Sequence, residues 1–145
     1  MSFEIIPQTS AIGAEIRGLD LRKPLSQEAF EALDRALLDH MVLFFRDQPI
    51  SPDEQVALAR RFGEIEVHPF GRHLDDHPLV GVLDQTEPRR DGANRWHADS
   101  TFMTRPPKVA VLHAVKLPET GGDTTWVSMA DAYAALSAPL QQALE

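Results

Sequence analysis

The arrangement of its hydrophobic residues limits the fold of this 145-residue chain more than any other feature. Helical signals are concentrated in the first 66 residues: apolar side chains recur at helical spacing after Ser26. A capping box of Ser51 and Glu54, with Pro52 at the first helical position, begins a second helix that ends at Gly63. From residue 67 onwards, short apolar runs are separated by long polar loops. This order predicts a mixed α+β chain rather than repeating strand–helix–strand units.

The elements themselves follow from local patterns. The first helix presents an apolar stripe made of Phe30, Leu33, Leu37 and Met41. Short apolar runs predict strands at 3–6, 11–17, 41–45, 79–83, 109–117 and 124–127. Residues 68–78, rich in proline, histidine and charge, predict a loop. A last helix is expected from Ser128, interrupted near Pro139, and the chain ends inside it, so we expect a fragment of a longer domain.

Composition excludes several classes of function. The chain has no cysteine, which rules out disulfides, thiolate zinc sites and a cysteine nucleophile. Its formal net charge of -8 disfavours nucleic acid or an anionic membrane surface as a partner. No apolar run approaches the roughly 20 residues of a membrane span, and the N-terminus lacks the basic region of a signal peptide. We therefore expect a cytoplasmic protein in which any metal is bound by histidine and carboxylate side chains.

Two His-x-Asp triplets are the candidate metal-binding motifs. His73 and Asp75 lie among charged residues, which favours solvated side chains in a surface loop. His97 and Asp99 lie in an aromatic-flanked segment, and residues i and i+2 of an extended backbone project to the same side. An imidazole and a carboxylate placed in this way could bind one cation, as in mononuclear non-haem iron oxygenases. From spacing alone, a hydrogen-bonded His–Asp pair without a metal is the favoured interpretation, and a metal site is the alternative.

Several ordered motifs carry a family resemblance. The segment W-H-A-D-S-T-F at 96–102 is followed by a Pro106-Pro107 pair, an apolar run and L-P-E-T-G-G-D-T at 117–124. The N-terminal part agrees in the segments at 13–21, 42–48 and 59–64. Together these motifs resemble the taurine dioxygenase and chlorophenoxyacetate dioxygenase family, whose members depend on Fe(II) and 2-oxoglutarate. The resemblance spans essentially the whole chain.

The resemblance implies roles for particular residues. His97 and Asp99 match the first two iron ligands, and Thr124 matches the threonine whose hydroxyl contacts a carboxylate of 2-oxoglutarate. The residues implied to bind or line the substrate are His68, Ser100 and Phe102. The second iron histidine and the arginine that pairs with 2-oxoglutarate lie beyond residue 145 in the family pattern. His113 does not replace that histidine, because it alternates with Val109, Val111 and Val115 as a sheet residue would.

The resemblance also implies a fold and a reaction. The fold is a double-stranded β-helix, or jelly roll, of which this chain is the N-terminal part: 1–66 is a flanking α/β segment and 67–145 begins the core. The reaction consumes O2 and 2-oxoglutarate, releases succinate and CO2, and hydroxylates a small organic anion such as a sulfonate, alkyl sulfate or aryloxy acid. No residue beyond the metal ligands is expected to be catalytic, and a homo-oligomer is compatible with the family.

Two departures from the pattern bear on the substrate. Gly71 stands where taurine-oxidising members carry a substrate-binding tyrosine, and Ala93 stands where they carry an asparagine. Both changes remove hydrogen-bonding side chains, so a larger or more apolar anion than taurine is expected. Two other functions remain: a truncated or degenerate member without catalysis, and a hydrolase that uses a metal at His97 and Asp99. Formation of succinate from 2-oxoglutarate would separate the oxygenase from the hydrolase.

Overall fold

The computed structural model describes residues 3–67, 71–84 and 95–145. Within it the chain forms two compact units. The first combines Met1–Pro49 with Ala114–Glu145, and the second consists of Ile50–His113. The division expected from sequence, with a flanking segment at 1–66 and a core beginning at 67, stays a prediction.

A three-stranded sheet lies in the first unit. Strand β1 (Glu4–Pro7) pairs antiparallel with β2 (Ala14–Arg17), and β2 pairs in parallel with β3 (Leu43–Phe45). Gly13, just before β2, has a φ of 88°, and a Cβ there would lie 3.2 Å from the Phe44 ring, so glycine fits this close approach. The strands expected at 3–6, 11–17 and 41–45 are thus confirmed, the first shifted by one residue to include Pro7 and the other two with shorter bounds.

Helix α1 (Gln27–His40) connects the two parallel strands. Ser26 caps it, since its hydroxyl accepts a hydrogen bond from the Ala29 amide at 3.1 Å. Leu33, only 1% exposed, is the largest fully buried side chain among the described residues. Met41 lies just past the helix with a φ of 64°, so it ends the helix rather than extending its apolar stripe. The buried apolar residues of this unit are Ala14, Ile16, Leu21, Ala29, Leu33 and Ala36.

The side chain of Gln48 fixes the segment that follows β3. Its Oε1 accepts a hydrogen bond from the Leu21 amide at 2.9 Å, and its Nε2 donates to the carbonyls of Leu19 at 3.0 Å and Arg46 at 3.2 Å. Three bonds from one half-buried amide join two segments that are distant in sequence. The backbone at Arg46 is thereby held in place.

The second unit contains helix α2 (Pro52–Phe62) and a hairpin. The Ser51 and Glu54 capping box is confirmed: the Glu54 carboxylate accepts from the Ser51 amide at 2.6 Å, and the Glu54 amide donates to the Ser51 hydroxyl at 3.3 Å. Strands β4 (Arg72–Leu74) and β5 (His77–Val82) pair antiparallel, and α2 packs against β5. The prediction of a loop throughout 68–78 is therefore wrong at 72–74 and 77–78, because residues 75 and 76 form a tight turn that lets the flanking residues pair.

Two predicted strands are absent from the described residues. Neither 109–117 nor 124–127 is a strand, although Val109, Val111 and His113 are half-buried between exposed neighbours; Val115, expected on the same face, is 87% exposed. A strand requires a hydrogen-bonded partner, and here the carbonyl of Val111 accepts a bond of 2.9 Å from the side chain of Gln55 instead. Both strand predictions are therefore wrong: alternating burial is present only at 109–113, where it occurs without a ladder, and all of 124–127 is exposed.

The first unit ends in two short helices. Helix α3 (Met129–Ala134) is capped by Ser128, whose hydroxyl accepts a hydrogen bond from the Asp131 amide at 3.1 Å. Helix α4 (Ala138–Leu144) follows, with Pro139 in its first turn. The interrupted helix predicted from Ser128 is confirmed. None of the described helices combines the length and apolar character that a membrane span requires. The observed content is mixed α and β, as expected.

Candidate functional site

His97 and Asp99 are brought together in the second unit. The Nε2 atom of His97 lies 3.3 Å from Oδ1 of Asp99, and the other ring nitrogen, Nδ1, lies 2.8 Å from the carbonyl oxygen of Arg95. Both side chains are open to solvent, with 53% of the imidazole and 76% of the carboxylate exposed. The i, i+2 spacing thus places the two side chains next to each other.

The hydrogen-bond roles of the His97 ring follow from its neighbours. A carbonyl oxygen only accepts, so the bond to Arg95 requires a hydrogen on Nδ1. In the neutral ring, Nε2 then presents a lone pair toward the Asp99 carboxylate, and two electron-rich atoms converge. Either a second proton or a cation must lie between them for the contact to be favourable. Histidines that bind metals commonly donate their other ring N–H to a backbone carbonyl in this way, so the donor set fits Fe(II).

Ser100 and Phe102 follow the pair in a tight turn. Ser100 has a φ of 54°, in the left-handed region, and its carbonyl accepts a hydrogen bond from the Met103 amide at 3.0 Å. Because of this turn, the backbone changes direction directly after Asp99. Ser100 is half-buried, whereas Phe102 is 69% exposed. Their assignment to the substrate pocket stays a prediction.

The second triplet is arranged differently. His73 lies on β4, half-buried, while Asp75 is exposed in the turn that follows. No ion pair joins these two side chains in the part of the chain that the structure describes. Only the His97 and Asp99 triplet therefore has the geometry of two adjacent ligands.

A complete metal site is not formed by the described residues. Within 3–67, 71–84 and 95–145, no group of three or more His, Cys, Asp or Glu side chains could hold a metal ion. The proximity of His97 and Asp99 is observed, and their role as two metal ligands stays a prediction. The sixth predicted site residue, His68, lies outside the described residues, as does Ala93.

Thr124 lies in a cleft of the first unit with a volume of about 440 Å³. The turn that precedes it contains Gly121 and Gly122, both with φ near 75°, and a Cβ on Gly122 would lie 3.2 Å from the Pro118 ring. Two glycines thus allow the tight turn that forms one wall. The cleft is lined by Arg46, Leu117, Pro118, Glu119, Thr120, Gly121, Gly122, Asp123, Thr124 and Trp126.

Two lining residues were missed by the sequence reasoning. Trp126 packs edge-on against Phe44, with ring centroids 5.4 Å apart, and the Arg46 guanidinium lies 5.9 Å from the centroid of the same Phe44 ring. Both contacts join residues of the β3 segment to the cleft around Thr124. The V-L-F-F-R-D-Q segment at 42–48 carries part of the family resemblance, but nothing local in the sequence indicates that its arginine lines the same cleft as Thr124.

Comparison with known proteins places the chain in a family. Residues 4–145 match the family model described as "Taurine catabolism dioxygenase TauD, TfdA family". An alpha-ketoglutarate-dependent sulfate ester dioxygenase of Pseudomonas putida is 38% identical over 98% of this chain and 47% of its own length. An alkylsulfatase of Acinetobacter baylyi is 40% identical over 94% of this chain and 43% of its own length.

A solved structure of a related protein is also similar to this chain. A taurine dioxygenase from Burkholderia xenovorans superposes with a TM-score of 0.87 at 37% identity, covering 99% of this chain and 51% of that one. The chain therefore spans about half the length of the proteins it matches. The match over residues 4–145, together with these relatives, shows that the chain belongs to the taurine catabolism dioxygenase TauD, TfdA family.

Proposed function

We propose that the protein containing this chain is an Fe(II)- and 2-oxoglutarate-dependent dioxygenase. One observation carries the proposal: in a member of this family, Nε2 of His97 lies 3.3 Å from a carboxylate oxygen of Asp99, while the other ring nitrogen lies 2.8 Å from a backbone carbonyl oxygen. The proposed domain is a jelly roll in which 1–66 flanks the core and 67–145 begins it. The mixed α and β content and the fold similarity to a taurine dioxygenase support this assignment.

Each residue has a distinct task in the proposed reaction. His97 and Asp99 would hold the iron on two adjacent positions, and the Arg95 carbonyl would keep the His97 ring in the tautomer that coordinates through Nε2. Thr124 would donate its hydroxyl hydrogen to a carboxylate oxygen of 2-oxoglutarate. The bound iron and 2-oxoglutarate would supply the oxidation, in which O2 converts 2-oxoglutarate into succinate and CO2 and one C–H bond of the substrate is hydroxylated.

The proposed substrate is a small organic anion, such as an alkyl sulfate, sulfonate or aryloxy acid. The names of the relatives support this class, since one is a sulfate ester dioxygenase and another an alkylsulfatase. Taurine is disfavoured because Gly71 has no side chain with which to bind a polar group; it has a φ of 120°, where other residues are strained. His68, Ser100 and Phe102 are proposed to contact the substrate.

The two His-x-Asp triplets allow a matched test of the proposed metal site. Full-length His97→Ala and His73→Ala variants are compared for bound Fe(II), measured by metal analysis under anaerobic conditions, and for succinate formed from 2-oxoglutarate. We expect His97→Ala to lose both and His73→Ala to keep both, because of these two histidines it is His97 that has a carboxylate oxygen within 4.0 Å of a ring nitrogen in the part of the chain that the structure describes. If both folded variants lose activity equally, the metal assignment is wrong. Turnover of a sulfate ester without succinate would favour the hydrolase instead.

A further inference from the structure

We propose that Arg46 is a further 2-oxoglutarate-binding residue, which pairs with the carboxylate that Thr124 contacts. The inference rests on the proposed function, and it adds the positively charged side chain of Arg46 to the residues that bind the ligand near Thr124. The cleft of about 440 Å³ holds a guanidinium, a hydroxyl and apolar walls, a combination that suits a small carboxylate with a short aliphatic chain.

The position of Arg46 is fixed by the fold. Its carbonyl accepts a hydrogen bond from Gln48, and its guanidinium lies over the Phe44 ring, which packs in turn against Trp126. Arg46 therefore lines the same cleft as Trp126 and Thr124. A guanidinium held by stacking has lost part of its rotational freedom before the ligand binds, which reduces the entropy cost of binding.

Arg46 has no carboxylate within ion-pair distance among the described residues, and at longer range its charge helps to lower the pKa of the Glu15 carboxylate. No ion pair within 4.0 Å includes it, although Glu119 and Asp123 line the same cleft. The carboxylate on the neighbouring strand, Glu15, is 2.6 Å from Arg17 and is paired with that residue. The guanidinium is thus the cation of this cleft that is not engaged in a close ion pair and can bind an incoming carboxylate, whereas Glu119 and Asp123 would repel an anion that approached them.

The test compares two ligands that differ at one end. 2-Oxoglutarate and 2-oxopentanoate share the keto-acid group and the five-carbon chain, but 2-oxopentanoate has a methyl group where 2-oxoglutarate has its distal carboxylate. Their dissociation constants are measured by anaerobic calorimetry on the full-length Fe(II)-loaded protein. We expect Arg46→Gln to weaken 2-oxoglutarate binding by roughly ten- to hundredfold and to change 2-oxopentanoate binding less than twofold.

Two further variants separate binding from folding. Arg46→Lys keeps the charge without the planar fork and should recover part of the affinity; Arg35→Gln, which removes an arginine of α1 outside the cleft, should leave both constants unchanged. The inference is overturned if Arg46→Gln binds 2-oxoglutarate normally, or if it weakens both ligands equally. A wild-type protein that binds the two ligands equally well, or neither, overturns the proposed function and this inference with it.

Discussion

Truncation of Leu33 tests the assignment of the core of the first unit. Leu33 is 1% exposed, and its neighbours on the buried face of α1, Ala29 and Ala36, are also buried. Replacing a buried leucine with alanine removes three carbons and leaves a cavity, which costs about 2–5 kcal/mol. The side chains of Ala29 and Ala36 are too short to fill that cavity, so we expect a loss of about 3–5 kcal/mol for Leu33→Ala.

The matched control lies on the same helix. Leu38 is 67% exposed, so Leu38→Ala makes the same chemical change with almost no burial to lose, and we expect it to cost less than about 1 kcal/mol. The helix propensity change is the same in both variants and cancels from their difference.

The free energy of unfolding is measured by urea titration of the full-length variants, followed by far-ultraviolet circular dichroism. We expect the midpoint of Leu33→Ala to fall well below that of Leu38→Ala, with similar slopes. A difference of less than about 1 kcal/mol between the two variants would refute the reasoning, because it would mean that α1 does not bury its Leu33 face.

Three further predictions concern the site and its surroundings. Thr124→Val removes one hydrogen bond to a charged carboxylate and should weaken 2-oxoglutarate binding by roughly ten- to hundredfold; an unchanged dissociation constant would exclude Thr124 from the site. Taurine should be a poorer substrate than an alkyl sulfate or an aryloxy acid, because Gly71 offers no polar side chain, and the rates of succinate release across such a panel would contradict this if taurine ranked first. Hydrogen bonding from Arg17 holds the pKa of Glu15 below its ordinary value of 4.5. The ionised Glu15 carboxylate therefore stabilises the folded state fully above pH 4.5, and this contribution is lost as the pH falls through the lower pKa of the folded state. The difference in unfolding midpoint between wild type and Glu15→Gln should therefore shrink on acidification, and a constant difference would contradict the pairing.

The helices could be predicted from sequence because their signals are local. Ser26, Ser51 and Ser128 each lie three residues before the amide that they cap, so the pattern and the contact occupy the same short window. The strands at 109–117 and 124–127 could not be judged in that way. Alternating apolar residues indicate which side of the chain is buried, whereas the hydrogen bonds of a strand depend on a partner segment elsewhere in the sequence.

The same distinction applies to the candidate site. His97 and Asp99 are two residues apart, so their proximity followed from spacing and is seen as a 3.3 Å contact. Arg46 and Thr124 are far apart in the sequence and share a cleft only because β3 and the turn at 117–124 belong to one compact unit. A family motif can mark both segments, but only the fold shows that they meet.

The parallel pairing of β2 with β3 sets an order in which the first unit assembles. The Ala14 amide donates to the carbonyl of Val42, and the Gly13 amide to that of His40, so both bonds close a loop that contains all of α1. A helix of this length forms within about a microsecond, and a hairpin such as β1–β2 within about ten. The parallel pair forms later, because closing a longer loop costs more entropy. During synthesis, β1 and β2 leave the ribosome before β3, so the edge of β2 that pairs with β3 stays uncovered until the α1 segment and then β3 have been synthesised.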